Sequence, residues 1–238
     1  MKLLIDGDPI VYRIGFASQK KDKETGLVTA DPESHALHSC KIFISNILKD
    51  TEASTSSYKV YLTGKDNFRF KIRKDYKENR KGTEKPVHYQ VIREYLQSRY
   101  GAQVIDGMEA DDALALAQTD NTAIATIDKD LLMVAGRHYN YVKQTWQTVT
   151  AEEGIRFFYK QMLTGDRVDN IIGIKGIGEK KADKILDATD RSAWDKTIID
   201  MYIEEFDDGF QRCVENTQLL WMLQRGVSMP MDFHETKK

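Results

Sequence analysis

Cysteine is nearly missing: Cys40 and Cys213 are the two in 238 residues. They stand far apart and offer neither a disulfide framework nor a cysteine-rich zinc site. A reducing, cytoplasmic setting is the expectation. Histidine is scarce as well. Of five, His35 and His38 alone have a ligand-like spacing, and they fall within an apolar helical pattern. Long hydrophobic runs are missing: none approaches the about 18 residues of a membrane span. The start, Met1-Lys2-Leu3-Leu4-Ile5-Asp6, meets an acid after three apolar residues. That is too short for a signal peptide and reads as a first strand. No repeat and no low-complexity segment is visible. Nor does one sign of charge dominate, since the net charge is −2. The whole-chain balance therefore neither demands nor forbids a nucleic-acid partner.

What is present is an ordinary globular composition, 41% hydrophobic and 30% charged, with uneven charge placement. Between Lys65 and Lys85 there are nine Lys/Arg against four acids; between Asp106 and Asp112 there are four acids and no base. One part can meet a polyanion and another can meet cations. Strands are expected at Lys2–Ile5, Tyr58–Leu62, Gln103–Ile105 and Ala123–Ile127, alternating with helices. Leu37, Cys40, Phe43, Ile44, Ile47 and Leu48 mark one helix, and Ala110–Gln118 another. Pro86 is expected to open a third at its first position, with Gly101 closing it. Residues 18–33 read as a loop or exposed hairpin. This alternation implies an α/β fold with a mostly parallel sheet. After about residue 145 the pattern turns helical: Thr150-Ala-Glu-Glu153 is a capping box. Helices are expected near 179–188, 191–206 and 208–225, with 227–238 as a tail.

Acids recur at strand ends and just beyond: Asp6/Asp8, Glu109/Asp111/Asp112, Asp128/Asp130 and Asp166/Asp169. In open α/β sheets the carboxyl ends of parallel strands converge on one crevice. So many carboxylates cannot all stay ionised there without positive compensation. Oxygen donors in such number suit Mg²⁺ or Mn²⁺, not zinc. Each cluster alone has a bland reading as a turn, a helix cap or a solvated flank. Glu109-Ala-Asp111-Asp112 says more, because a helix start needs one or two acids and here there are three. Jointly the four clusters favour a metal site.

Ile5-Asp6-Gly7-Asp8, Tyr76-Lys77-Glu78-Asn79-Arg80, Glu109-Ala-Asp-Asp112, Asp128-Lys-Asp130 and Gly165-Asp166-Arg-Val-Asp169-Asn170 occur in this order, followed by Gly173-Ile-Lys-Gly-Ile-Gly178-Glu-Lys-Lys-Ala182. In motif and order the chain resembles the flap endonuclease/5′-3′ exonuclease family, in its stand-alone phage form, over about residues 2–190. The resemblance implies a PIN-like α/β core over 1–145 with a helical arch at about 65–85. A helical DNA-binding part would follow over 146–238, with a helix-three-turn-helix at about 164–188, the whole forming one compact monomeric nuclease. It implies a first metal held by Asp6, Glu109, Asp111 and Asp112. Asp128, Asp130, Asp166 and Asp169 would complete a second site, with Asp8 an addition. Lys77 and Arg80 would act on the scissile phosphate, and Arg69, Tyr76 and Lys81 would join them in contacting DNA. Gly176, Gly178, Lys180 and Lys181 would grip duplex backbone, with a K⁺ ion there in some relatives. The substrate implied is DNA with a 5′ end or flap, or an RNA/DNA hybrid, cleaved with two Mg²⁺ ions. One departure stands out: the strand at 58–62 ends in Thr63 and Gly64 where the family has a metal-associated Asp, with Asp66 two or three residues late.

The basic segment also carries Phe68, Phe70 and Tyr76, which can stack on unpaired bases. Two rival readings remain. Asp6-x-Asp8 with Gly165-Asp166-x-x-Asp169 imitates a haloacid-dehalogenase-like phosphatase, which leaves Glu109–Asp112 without work. A junction-binding relative that has lost cleavage would not need the full acid set.

Overall fold

The computed structural model describes residues 1–54, 57–231 and 233. The six-stranded sheet is ordered β5-β4-β1-β6-β7-β8. Its strands are β1 (Lys2–Asp6), β4 (Tyr58–Thr63), β5 (Gln103–Ile105), β6 (Thr122–Ala125), β7 (Gly136–Asn140) and β8 (Thr145–Val149). All pairs are parallel except β7 with β8. Leu3, Leu4 and Ile5 are apolar on both faces, as a strand covered on both sides requires. Ile5 lies opposite Val60 on one side and Ala125 on the other, so Asp6 emerges where three strands end together.

The helices are α1 (Asp8–Ala17), α2 (Glu33–Asp50), α3 (Arg69–Ile72), α4 (Tyr89–Tyr100), α5 (Ala110–Ala117), α6 (Ala151–Thr164), α7 (Glu179–Ala188), α8 (Trp194–Glu205) and α9 (Gly209–Leu220). Two cores result. Leu3, Ile5, Val60 and Leu62 pack under α1, α2 and α4. Leu4, Tyr61 and Ile124 face the other way, into a core that continues through α5 and α6 to α9 and Met231. The helical carboxyl-terminal part thus shares its core with the sheet. The expected capping box forms: Glu153 N–H donates to Thr150 Oγ1 at 3.2 Å, and Thr150 N–H to Glu153 Oε2 at 2.7 Å.

Four expectations are corrected. Pro86 does not open α4, which begins three residues later. It is buried against Gly15, where a Cβ would meet Pro86 Cγ at 2.5 Å. Residues 136–149 form a strand pair that the sequence reading missed. Within 65–85, where the resemblance implies a helical arch, the helical structure is limited to α3, four residues long, and a single 3₁₀ turn at Glu78–Arg80. The tail is partly core: Met231 is buried and Phe233 packs against its neighbours, while 232 and 234–238 lie outside the described residues. The hairpin at 18–33 is found, as β2 (Gln19–Lys21) with β3 (Val28–Ala30). No helix of the described residues is long and apolar enough to cross a membrane.

Candidate active site

A cleft of about 910 Å³ opens over the carboxyl ends of β1, β4 and β6. Asp6 reaches it from the last residue of β1, and Asp128 and Asp130 from the turn after β6. Glu109 and Asp111 enter from the start of α5, and Asp166 and Asp169 from the two-residue strand β9 (Gly165–Asp166) and the loop before β10 (Ile171–Ile172). Segments more than a hundred residues apart therefore bring seven carboxylates to one place, with Asp8 at the edge.

Asp6 is 1% exposed. Its Oδ2 accepts from Thr126 Oγ1 at 2.7 Å, and its Oδ1 has no partner. Burial holds this carboxyl well above the usual range, with Asp8 and Asp128 adding to it. Asp111 is raised in the same way, by burial and then by Asp6, Asp128 and Glu109. Burial, Asp128 and Asp166 push Asp130 up to about 8, while its Oδ1 accepts from Gln161 Nε2 at 2.8 Å. Gln161 Oε1 is a second buried oxygen without a partner. Charge is concentrated here beyond what the protein neutralises.

The other side of the cleft is compensated. Lys77 bonds Glu109 and lies 3.5 Å from Asp169 Oδ2, and Arg80 Nη2 is 2.5 Å from Asp169 Oδ1. Burial would raise Glu109, but Lys77 and Arg69 outweigh it and hold this acid low. Asp169 stays raised by burial despite both cations. The basic turn is fastened to the 166–170 loop by three bonds to that loop's carbonyls. Lys77 N–H donates to Asp169 O at 3.0 Å, Asn79 Nδ2 to Arg167 O at 2.6 Å and Arg80 Nε to Val168 O at 3.1 Å. Lys77 takes a left-handed φ of 56° to do so, a conformation uncommon outside glycine.

Several predicted site residues have other work. Asp112 is 0% exposed and does not line the cleft; it is bound to Arg69 at 2.5 and 2.9 Å. It also accepts from the Glu109 and Leu223 amides, both at 3.2 Å. In this structure it is the buried anion of an ion pair with Arg69. Arg69, 2% exposed, also donates to Leu219 O at 2.8 Å and Trp221 O at 3.0 Å, so it ties α3 to the end of α9, its guanidinium engaged in the cleft wall. Tyr76 is buried, its hydroxyl donating to Asp169 Oδ2 at 2.8 Å, which removes it as a stacking surface. Asp8 receives Arg93 Nη1 and the Thr63 amide, each at 2.9 Å, and is a strut between β4 and α4. Thr63 Oγ1 in turn accepts from the Ala110 amide at 2.9 Å. The corner where an acid was missing is thus filled by Asp8 and Arg93. Asp66 lies exposed at the rim, at a φ of 61°.

Gly176, Gly178, Lys180 and Lys181 sit outside the cleft, exposed where α7 begins, above the buried Ile174 and Ile177. Gly176 has a φ of 72°, which keeps that turn open to glycine. Lys81 is exposed and paired with Glu78 at 2.7 Å. Thr126, Gln161 and Arg93 were missed by sequence reasoning. Thr126 follows β6 directly, and a hydroxyl there was a usable signal; Gln161 and Arg93 sit in amphipathic helices with nothing to mark them.

No group of three His, Cys, Asp or Glu among the described residues is already arranged to hold a metal ion. Two of the acids are turned to Lys77 and Arg80 instead. The donors nonetheless fit a hard divalent cation: they are oxygens only, and Asp6 Oδ1 is buried with nothing opposite it.

The 5′-3′ exonuclease N-terminal resolvase-like domain matches residues 1–161, and this chain belongs to that family. It is 30% identical over 206 residues to DNA polymerase I of Geobacillus stearothermophilus, covering 77% of this chain and 23% of the relative. The chain thus spans about a quarter of the length of such polymerases. It is 26% identical over 198 residues to a 5′-3′ exonuclease of Buchnera aphidicola, covering 76% of this chain and 67% of the other. The fold matches that of a bacteriophage T5 flap endonuclease solved with DNA and metal ions. The TM-score is 0.65 at 19% identity, over 94% of this chain and 90% of that one.

Proposed function

We propose that this chain is a metal-dependent 5′ nuclease that hydrolyses phosphodiester bonds at 5′ ends or 5′ flaps of DNA, with RNA/DNA hybrids as a further substrate. One observation carries the reading: seven carboxylates from four separate segments line one cleft, with Lys77 and Arg80 in its wall. The T5 relative's complex with DNA and metal ions supports it. Asp6, Asp111, Asp128, Asp130 and Asp166 are the proposed ligands, with Glu109 and Asp169 joining once their cations are displaced. Two Mg²⁺ ions, or Mn²⁺, would activate water and stabilise the leaving oxygen.

The chain's own residues do the rest. Lys77 and Arg80 exchange a carboxylate partner for a phosphate, positioning it and offsetting charge that develops on it. Thr126 and Gln161 orient Asp6 and Asp130. The Gly176–Gly178 turn offers backbone amides at a helix start, and Lys180 and Lys181 add charge, so duplex is held without reading sequence. K⁺ at that turn and a monomeric, cytoplasmic enzyme complete the proposal. A phosphatase acting through Asp6 would leave Glu109 and Asp111 unemployed in the same cleft.

The test is incubation of 5′-labelled and 3′-labelled duplex, flap and RNA/DNA substrates with Mg²⁺, Mn²⁺ or EDTA. Metal-dependent release from 5′ ends or flaps is expected. Intact nucleic acid throughout, or release of phosphate from small monoesters, overturns the assignment.

A further inference from the structure

The cleft holds more than cations and a phosphate require. Part of its wall is apolar and comes from α3 and the end of α9, through Phe70, Leu219, Leu220 and Met222. The last three are buried; Phe70 is 49% exposed. Isolated surface hydrophobics are common and need no explanation. Phe70 differs in place and in rigidity. It follows Arg69, whose guanidinium is bonded to Asp112, Leu219 O and Trp221 O, and whose amide donates to Asn67 Oδ1 at 3.0 Å. Its ring meets Tyr76 edge-on at 5.5 Å and 68°. The Tyr76 hydroxyl, on the far side, bonds Asp169 at 2.8 Å and Glu109 at 3.2 Å. One buried tyrosine therefore separates an open aromatic face from the carboxylates.

We propose that Phe70 is a stacking platform for an unpaired nucleobase of the strand whose phosphate enters the acid cleft. The inference rests on the nuclease reading and adds a base subsite to it. A ring packed edge-on against Tyr76, on a backbone anchored at the neighbouring Arg69, has less freedom to lose when a base settles on it. Stacking accepts any base, since each has a π-face. The platform thus positions a nucleotide without selecting a sequence. Binding a base here also favours an unpaired end over an intact duplex, because a paired base is not free to reach the wall.

Phe70→Leu keeps the apolar contact with Tyr76 and removes the ring; Phe70→Trp enlarges it. The first readout is 2-aminopurine fluorescence, placed one nucleotide at a time around the cleavage position of a 5′-overhang duplex, in Ca²⁺. The second is single-turnover cleavage in Mg²⁺ of the same duplexes carrying single abasic nucleotides. Wild type should quench the probe at one position. Phe70→Leu should lose that quench and cleave about ten-fold more slowly, the lower part of the range for one base stack. Phe70→Trp should keep both. An abasic nucleotide at the quenched position should slow wild type by a similar factor and Phe70→Leu no further. Equal behaviour of Phe70→Leu and wild type, or a loss equal at every abasic position, overturns the platform. If wild type cleaves but no position is quenched, the base subsite falls and the nuclease reading stands; if wild type cleaves nothing, both fall.

Discussion

Asp111 and Asp112 adjoin in sequence, yet replacing each by Asn should move thermal stability in opposite directions. Asp112 accepts four hydrogen bonds, two from Arg69 and two from the Glu109 and Leu223 amides, in a place closed to water. Asn offers one acceptor oxygen and turns an NH₂ toward a guanidinium that stays charged. Breaking a buried pair from one side costs roughly 3–5 kcal/mol. At about 2–4 °C per kcal/mol for a chain of this size, Asp112→Asn should melt about 6–20 °C lower. Among the described residues the Asp111 side chain has no hydrogen bond to lose, and it sits among Asp6, Asp128 and Glu109. Asp111→Asn removes one repelling charge, so without metal at pH 8 it should melt higher than wild type. Adding Mg²⁺ reverses the order. A ligand at a hundred times its Kd adds about 2.7 kcal/mol to a protein that binds it. Wild type and Asp112→Asn should gain this, and Asp111→Asn should not. The assay is differential scanning fluorimetry in EDTA and in graded Mg²⁺, with cleavage measured well below each melting temperature. An Asp112→Asn protein that melts like wild type but has lost its Mg²⁺ response would make Asp112 a ligand and refute the structural account.

Mg²⁺ affinity should rise with pH up to about 8, near ten-fold per unit for each proton displaced, because Asp130 is pushed up to about 8 and must ionise to bind. The sign for the metal-free fold is the reverse: an unfolded carboxyl titrates near 3.9, so between there and 8 the native state holds the extra proton and stability falls as pH rises. Calorimetric affinities that are flat from pH 6 to 8 would contradict both. Lys77→Met should lower metal-free stability and raise Mg²⁺ affinity at least about ten-fold, since it removes a charge-assisted competitor for Glu109 worth about 1.5–3 kcal/mol; unchanged affinity by titration calorimetry would place Lys77 outside the metal's competition. Gly154→Ala should cost about 1–3 kcal/mol in urea unfolding, because its Cβ would meet Met133 O at 2.4 Å and press on the turn that carries Asp130; an unmoved midpoint would show that α6 can give way.

Much of the fold was legible because the relevant signals are local. Leu3-Leu4-Ile5 before Asp6 marks a doubly covered strand, and Thr150 with Glu153 marks the start of α6. The acids were legible as a group, since parallel strands end on one side. Their division of labour was not. Nothing in Glu109-Ala-Asp111-Asp112 says that one acid faces the cleft and the next faces Arg69; helix phase and a partner 43 residues away decide that. In the same way Asp8 reads as a twin of Asp6 until Arg93 arrives from α4. The β7–β8 pair was missed because Thr145–Thr148, polar but for Trp146, is exposed throughout and carries no buried face to set a period of two. Pro86 misled because a helix-opening signal was in fact a packing contact with Gly15.

The Arg69 staple joins residues 150 and 152 positions apart. During synthesis every acid of the cleft has been made before Leu219 and Trp221 exist to hold α3 in place. A chain still on the ribosome, or one clipped ahead of Leu219, therefore carries the carboxylates without the wall that steadies the opposite rim. The anchor of α3 is thus supplied by a segment made some 150 residues later than the helix it holds.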